Sequence, residues 1–231
     1  MSTPRNLIDR PQSSAFEIEY RYLLANDEWK KARHESCNIR QHYFPHLIDQ
    51  SVQLKITVER NTAFVTALHP QYGELCQFLI PQEILKKFDI DNLRFLTTDQ
   101  GLVPVSDTLE ARIRSKNGLY EFGIKADTAM AGKRHKLAFE ISDNIARILL
   151  PHCPHHVDKI HYGKVVANGL GWEINEFLGQ NDGLVLAEIE RPHTARDFDK
   201  PAWLGDEVTA DPRYLSRNLA RFPVSQGPQP A

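Results

Sequence analysis

Short runs in which charged and apolar side chains alternate constrain the fold of this chain more than any other feature. In the first run, Glu17, Glu19 and Arg21 share one face of an extended chain, and aromatic or aliphatic residues occupy the other face. Alternation with a period of two residues is typical of β-strands. The same pattern predicts strands at 15–24, 38–44, 51–59, 62–68, 109–115, 119–125, 136–142, 157–163, 171–178 and 184–190.

Helical patterns are few, and they predict helices at 27–35, 81–89 and 143–150. Because no helix follows each strand, a parallel βαβ fold is disfavoured. The sequence predicts an α+β protein that is mostly antiparallel β-structure, either a sheet or a barrel, with a few packed helices. The organisation that we expect is a polar tail at 1–14, one domain over 15–220 and a second tail at 221–231.

The charge balance and the composition exclude several classes of protein. The 231 residues carry 28 Lys and Arg against 30 Asp and Glu, which excludes dominant nonspecific binding to nucleic acid or to acidic membranes. A 41% hydrophobic content excludes wholesale disorder. No stretch approaches the roughly 20 apolar residues of a membrane helix, and the first residues lack the hydrophobic core of a secretory signal. Three widely spaced cysteines predict reduced thiols, so we expect a cytoplasmic protein without a membrane or sequence-specific nucleic-acid partner.

Charge is sorted by segment along the predicted strands. Residues 110–137 carry seven Lys and Arg against three acids, whereas residues 173–190 carry five acids and no Lys or Arg. Charge that served solubility alone would be interspersed in sign. If the sheet closes, a cationic wall and an anionic wall face each other across a lumen.

Two facing walls of opposite charge suit one kind of chemistry. Carboxylate oxygens favour a hard cation such as Mg²⁺ or Mn²⁺. Arginine and lysine side chains suit a polyanion, because the arginine fork matches phosphate oxygens. Metal on one side and cations on the other is the recurring arrangement for phosphoryl transfer. The chain has no GxxxxGK[ST] loop, so side chains would hold the phosphates.

The ordered motifs resemble those of the CYTH superfamily, the triphosphate tunnel metalloenzymes. EIEYRYLL at 17–24 is similar to the ExExK signature of that superfamily. LEARIR at 109–114 and EFGIK at 121–125 resemble its RxR strand and the following strand that ends in lysine. AFEIS at 138–142 resembles the end of its ExE strand, and VDKIHY, GWEINEF and LAEIE follow in the same order. The segment at 197–220 resembles its closing Trp-Leu-Gly-x-Glu-Val-Thr and Arg-Tyr segment.

The resemblance implies a closed eight-stranded antiparallel tunnel that binds a triphosphate or polyphosphate with Mg²⁺ or Mn²⁺. It implies catalytic roles for Glu17, Glu19 and Arg21. The metal ligands that it implies are Glu17, Glu19, Glu140, Glu173, Glu188 and Glu190. The substrate-binding residues that it implies are Arg21, Arg112, Arg114, Lys125 and Lys159, together with Lys133 and Arg134 as helpers on a mobile loop.

Four positions depart from the pattern of the superfamily. Arg21 replaces the lysine that closes ExExK, and Ala138 replaces the first glutamate of the ExE strand. His161 stands where an arginine is expected, and Asn175 stands where an aspartate is expected. These changes remove two carboxylates, so we expect a weakened or displaced metal in a tunnel that is otherwise intact.

Residues 45–105 form an insertion where the pattern would have a short connection. Their alternation predicts a hairpin that turns at Arg60–Asn61–Thr62, followed by a helix at PQEILKKF (81–88) and a strand at 93–97. Such an insertion is a candidate surface for a protein partner or a homodimer, or a cap over the tunnel.

The resemblance implies a divalent-metal-dependent triphosphatase, with inorganic tripolyphosphate as the first substrate to test because no base-reading pocket is evident. Two alternatives stay open from the sequence. One is a class IV type adenylate cyclase acting on ATP. The other is a tunnel that binds polyphosphate or a nucleotide as a sensor or partner module without hydrolysing it.

Overall fold

The alternating runs form strands in a computed structural model, which describes residues 16–32, 35–46, 52–60, 62–88, 93, 96–190 and 198–226. The strands are β1 (Phe16–Leu24), β2 (Glu35–Tyr43), β3 (Gln53–Glu59), β4 (Thr62–His69), β5 (Gly73–Ile80), β6 (Leu109–Lys116), β7 (Leu119–Asp127), β8 (Lys133–Ile141), β9 (His155–Ala167), β10 (Leu170–Phe177), β11 (Val185–Glu190) and β12 (Leu204–Glu207). The α-helices are α1 (Gln82–Phe88), α2 (Asp143–Leu149) and α3 (Ser216–Arg221).

Eight of these strands close into an antiparallel barrel. The order around the barrel is β11, β10, β9, β2, β6, β7, β8 and β1, and β1 pairs back onto β11. Four steps in either direction separate β11 from β6, and four steps separate β10 from β7. The two walls of opposite charge therefore lie across the lumen from each other. The predicted fold class and the closed eight-stranded tunnel are confirmed.

The barrel buries both faces of its strands, which explains why charged residues can alternate with large apolar ones. Arg112 and Lys125 turn toward the lumen and are 4% and 6% exposed. Their sequence neighbours Ile113 and Ile124 are fully buried in an outer apolar cluster. Because successive side chains point to opposite faces, one pattern in the sequence forms both a charged interior and an apolar exterior.

The insertion packs onto the outside of β6, β7 and β8. Strands β3, β4 and β5 form a separate antiparallel sheet, and its Val65 and Phe78 share one apolar cluster with Phe122 and Phe139 of the barrel. The predicted hairpin turn is present: Arg60 has a φ of 53°, and Asn61 lies outside the described residues. The sheet is thus continuous with the barrel core, while its role as a partner surface stays a prediction.

The inner face becomes apolar at one end of the barrel, where α3 closes the lumen. Tyr43, Phe177 and Leu186 lie on the lumen face of their strands and pack in one cluster with Leu219 and Ala220 of α3. The barrel therefore narrows to a plugged base, and the charged part of the lumen lies above it.

The boundaries of several elements differ from the prediction. Strand β5 is additional, because its apolar residues fall on both parities and give no alternation. Strand β12 is also additional and pairs with β1. The strand predicted at 93–97 is wrong, since Leu93 and Leu96 lie in 3-10 turns. The helix predicted at 27–35 is a 3-10 turn over Glu28–Lys31.

The described elements continue past 220, where the predicted second tail follows the domain. Arg221 ends α3 rather than starting a tail, and the amide of Val224 donates a hydrogen bond to Oδ1 of Asn181. The ordered unit continues at least to 226, whereas the tail predicted at 1–14 lies outside the described residues. Within the described ranges, no helix is both long and apolar enough to cross a membrane.

Candidate active site in the tunnel

A salt-bridged triad of Glu19, Arg21 and Glu188 occupies the middle of the lumen. Arg21 Nη2 lies 2.5 Å from Glu19 Oε1, and Arg21 Nε lies 3.1 Å from Glu188 Oε1. The arrangement follows from register: Arg21 is the direct cross-strand partner of Glu188, and Glu19 is two residues earlier on the same face. The arginine at the departure position therefore pairs with two of the predicted metal ligands.

Two connecting segments hold β1 in place at this triad. The Glu19 amide donates to the carbonyl of Gly132, and the Arg21 amide donates to Oγ1 of Thr209. Gly132 has a φ of +78°, and a Cβ there would lie 2.6 Å from the Glu19 carbonyl oxygen. Only glycine allows this close approach without strain. The turn before β8 and the segment after β12 thus position the two polar residues that β1 contributes.

The cationic side of the lumen has an excess of positive charge. Burial lowers the pKa of Lys159 to about 8, with Arg114 and Arg112 lowering it further against the opposing attraction of Glu188. Burial and Arg112 also lower the pKa of Arg114. Like charges that depress each other's ionisation gain most from a bound anion. Lys125, 6% exposed, faces the same lumen.

The anionic wall, formed by β10 and β11, shows the same imbalance with the sign reversed. Burial raises the pKa of Glu173, and the charges of Glu188 and Glu19 raise it further. Burial also opposes the ionisation of Glu188, but Lys159 and Arg21 outweigh it and lower the pKa of Glu188 to about 2. Glu173 and Glu188 are cross-strand partners. A cation between these carboxylates would stabilise both charges.

The departures at His161 and Asn175 form a neutral pair beside this wall. The two residues are cross-strand partners, and His161 Nδ1 lies 3.1 Å from Asn175 Oδ1. Asn175 Nδ2 donates to Glu188 Oε2 at 2.6 Å. Burial is the main cause that lowers the pKa of His161 to about 4. The imidazole is therefore uncharged at neutral pH.

A second charged cluster, the basal cluster, lies next to the plugged end of the lumen. Glu110 is 4% exposed and accepts from Arg112 and Arg134, at 3.0 Å and 2.8 Å. Arg217 of α3 reaches both Glu110 and Asp127, at 3.4 Å and 2.6 Å. Arg134 also donates to Asp127 at 2.9 Å. Its members are Glu110, Asp127, Arg112, Arg134 and Arg217.

The basal cluster contains residues that the sequence analysis missed. Glu110 could have been found, since it shares the strand parity of Arg112. Arg217 could not, because nothing in the sequence signals that α3 plugs the barrel. Gln41 was also missed: with its carbonyl oxygen turned toward Arg114, it accepts from Nε and Nη2, both at 3.1 Å.

Several predicted site residues lie away from the triad. Arg134 is in β8 and bonded within the basal cluster rather than on a mobile loop, and Lys133 begins the same strand on the alternate parity. Glu140 is exposed and pairs across from Glu121. Glu190 has a 49% exposed side chain with Oε1 3.7 Å from Lys136 Nζ. Glu17 lies in β1, but its side chain is outside the described set.

The carboxylates fit a hard divalent cation in their chemistry, although they are not gathered around one point. Within the described part of the chain, no group of three or more His, Cys, Asp or Glu is arranged to hold a metal. Arg21 engages Glu19 and Glu188 in the position that a cation would take between them. The donor atoms are oxygens, the ligands that Mg²⁺ and Mn²⁺ prefer, and the raised pKa of Glu173 marks a place where a cation is favoured.

Comparison with known proteins gives two curated relatives and a solved structure. A protein of Acetivibrio thermocellus named inorganic triphosphatase is 52% identical over 67 residues, which cover 29% of this chain and 42% of that protein. An inorganic triphosphatase of Nitrosomonas europaea is 27% identical over 122 residues, covering 52% and 80%. The crystal structure of the inorganic triphosphatase NE1496 is 22% identical, covers 88% of this chain and 93% of that one, and has a TM-score of 0.46.

No family model matches the chain, and the segment shared with the first relative is less than half of that relative's length. The assignment therefore depends on the motifs, their placement and the two curated relatives together. The ordered motifs lie on the strands of one closed barrel, and several of their charged residues share its lumen, namely Glu19, Arg21, Arg112, Lys125, Lys159 and Glu188. The chain is similar in sequence to two proteins named inorganic triphosphatase, and its ordered motifs resemble those of the CYTH superfamily.

Proposed function

We propose that the chain hydrolyses a linear triphosphate, inorganic tripolyphosphate, with the help of Mg²⁺ or Mn²⁺ in the tunnel. The observation that carries the proposal is the lowered pKa of Lys159 on β9 together with the raised pKa of Glu173 on the neighbouring strand β10. An anion beside Lys159 and a cation beside Glu173 would relieve both imbalances at once. The names of the two curated relatives support the same reaction.

The cationic side chains would bind and orient the phosphate chain. Arg114 and Lys159 have no carboxylate within a short hydrogen bond: Arg114 is 3.5 Å from Glu121, and the described contacts give Lys159 none. A phosphate would displace the neutral amide oxygen of Gln41 from Arg114, and arginine binds phosphate oxygens in a bidentate way. The apolar base formed with α3 stops the chain from passing through, so substrate enters and product leaves by the open end.

Glu19, Glu173 and Glu188 would hold the metal, and Glu17 and Glu190 are further candidates. When bound, the ion would supply charge neutralisation to the phosphoryl oxygens. Arg21 would have to release one of its two carboxylates, and a phosphate oxygen is its natural replacement partner. Between the two ions we propose a preference for Mn²⁺, because the triad leaves a partial set of ligands and Mg²⁺ demands near-ideal octahedral geometry.

An inorganic substrate fits the described lumen better than a nucleotide. Trp172 and Trp203 pack against each other outside the barrel, with ring centroids 5.5 Å apart. Tyr43 and Phe177 face inward but belong to the apolar base. No aromatic side chain of the described lumen therefore offers a platform for a base above the charged region.

The test is phosphate release from tripolyphosphate, ATP and thiamine triphosphate, each with Mg²⁺ and with Mn²⁺, at pH 7.5 and pH 9. We expect tripolyphosphate to be cleaved fastest and Glu19→Gln and Glu188→Gln to abolish the metal-dependent rate while the protein stays folded. Release of pyrophosphate and cAMP from ATP would assign the cyclase reaction instead. Tight binding of tripolyphosphate without turnover in either metal would assign a sensor, with Ala138 and Asn175 as its cause.

A further inference from the structure

A chain of hydrogen bonds runs across the anionic wall from β9 to β1. His161 Nδ1 meets Asn175 Oδ1 at 3.1 Å, and Asn175 Nδ2 meets Glu188 Oε2 at 2.6 Å. Arg21 Nε then meets Glu188 Oε1 at 3.1 Å, and Arg21 Nη2 meets Glu19. The chain links both departure residues to two of the proposed metal ligands.

The chemistry of its members fixes the direction of every bond in the chain. Arginine only donates, and an ionised carboxylate only accepts. Asn175 must therefore turn its amide nitrogen to Glu188 and its oxygen to His161. That oxygen can accept but not donate, so His161 Nδ1 carries the hydrogen. The lone pair of the imidazole is then on Nε2, and a Cβ added to Gly163 would lie 3.5 Å from it.

As a result, a hydrogen bond fixes each of the two carboxylate oxygens of Glu188. Oε1 is fixed by Arg21, and Oε2 is fixed by Asn175, which is 0% exposed and so has no contact with bulk water. His161 in turn is the described partner of the Asn175 oxygen. A buried amide whose two ends are both satisfied holds a single orientation.

We infer that His161 and Asn175 are positioning residues that act as one unit to orient the Glu188 carboxylate. The inference rests on the proposed function, because Glu188 matters as a ligand of the metal that the reaction uses. The unit acts without adding charge to the wall, since both of its members are neutral. Partners that orient a metal ligand typically change metal affinity or activity by about 10–100-fold when they are lost.

Two substitutions at position 161 separate the two nitrogens of the imidazole. The amide nitrogen of asparagine can occupy the place of Nδ1, whereas that of glutamine reaches the place of Nε2. We expect His161→Asn to stay within about threefold of the wild type in turnover and in Mn²⁺ affinity, and His161→Gln to lose about tenfold or more of both. The reverse order would overturn the inference and show that His161 acts on the ligand through Nε2.

A double-mutant cycle tests whether the pair acts as a unit. His161→Leu and Asn175→Leu should each lower Mn²⁺ affinity, and the double variant should be no weaker than Asn175→Leu alone, because the histidine acts only through the asparagine. Multiplicative losses in the double variant would show two independent roles. Urea unfolding of each variant identifies any loss that comes from misfolding, and the matched pair at position 161 replaces the cycle where Asn175→Leu fails to fold.

Mn²⁺ affinity is measured from the electron paramagnetic resonance signal of the free ion, which needs no turnover. If the wild type cleaves no triphosphate, the proposed function fails, and the order of Mn²⁺ affinities still decides the positioning unit. If the wild type is active and all five variants bind Mn²⁺ as well as the wild type, the positioning unit fails and the proposed function stands.

Discussion

The lumen contains two charged regions built from the same residue types, and they differ in how well their charges are matched. In the basal cluster, three arginines surround Glu110 and hold its pKa well below its usual range despite complete burial. In the middle of the lumen, Lys159 and Glu173 have their pKa values shifted toward the neutral forms. The charges of the basal cluster are paired with one another, whereas the described residues give neither Lys159 nor Glu173 a salt bridge.

The difference shows that charge in a tunnel does not by itself mark a binding site. Arg134 and Arg217 donate to carboxylates that also receive other arginines, so a phosphate would have to compete for them. Arg114 and Lys159 are repelled by neighbouring cations instead. A ligand gains most where the protein has desolvated a charge without pairing it.

The largest expected effect of a single substitution concerns the stability of the basal cluster. Glu110→Gln removes the charge that compensates Arg112, Arg134 and Arg217 in a dry site. Breaking a buried ion pair by removing one partner costs about 3–5 kcal/mol. We expect the free energy of unfolding in urea to fall by about that amount. A variant as stable as the wild type would show that the cluster is hydrated and that the two regions are not different in kind.

The next effect concerns substrate binding by neighbouring arginines of one strand. Arg114→Ala should raise the KM for tripolyphosphate roughly tenfold to a hundredfold, because a charged hydrogen-bonded contact contributes about 1.5–3 kcal/mol. It should leave stability almost unchanged, since burial and Arg112 already disfavour its charge.

Arg112→Ala is the matched comparison for Arg114→Ala. It should raise the KM and also lower stability, because Arg112 donates to Glu110 in the basal cluster. Initial-rate kinetics and urea unfolding on both variants check the pair. Equal losses of stability in the two variants would contradict the distinction between the basal cluster and the middle of the lumen.

Much of this architecture follows from the sequence, for a physical reason. Alternation in the sequences of β1 and β6 indicates which residues share a face of each strand. Because the barrel closes, Glu19 and Arg112 then face the same lumen. The turn at Asn117–Gly118, where both residues have positive φ, also follows from the sequence, because Asn-Gly is a dipeptide that a type I′ hairpin favours.

The matching of the charges could not be predicted from the sequence. It depends on Arg217, which reaches Glu110 from a helix 107 residues away in the chain. The matching also depends on how β1 is positioned beyond its pairing with β8, where Gly132 and Thr209 accept hydrogen bonds from the amides of β1. Strand parity tells which wall a side chain joins, but tertiary packing decides which partner neutralises it.

A smaller effect follows from the lowered pKa of Lys159. Below pH 8 the lysine is charged and can bind phosphate, and above pH 8 the free protein loses that charge. Affinity for tripolyphosphate without metal should therefore decline, by about fivefold from pH 8 to pH 9 if that charge is essential. The lysine's own contribution to stability has the opposite sign: an unfolded lysine binds its proton up to a higher pH, so stability rises with pH above 8.

Lys159→Arg is the control for this decline, because arginine stays charged throughout the range. Tripolyphosphate ionises identically in both experiments, so the difference between the two calorimetric titration series isolates the lysine. An identical decline in affinity for wild type and Lys159→Arg would assign the pH dependence to the ligand. Lys159 would then not be one of the lumen charges that lack a partner among the described residues.

The smallest expected change in stability is for Glu173→Gln, which contrasts with the large loss expected for Glu110→Gln. Glu173→Gln removes a charge that burial, Glu188 and Glu19 already disfavour, so the free energy of unfolding should be no lower than that of the wild type. Because folding raises the pKa of Glu173 above its unfolded value, the carboxylate destabilises the protein at pH 7 and less so as the pH falls toward its unfolded value. Metal affinity should nevertheless decline, since one oxygen ligand loses its charge. If the substitution lowers stability, Glu173 is as well paired as Glu110. If the variant is as stable as the wild type but binds Mn²⁺ more weakly, the buried charge of Glu173 destabilises the fold and serves to bind the ligand.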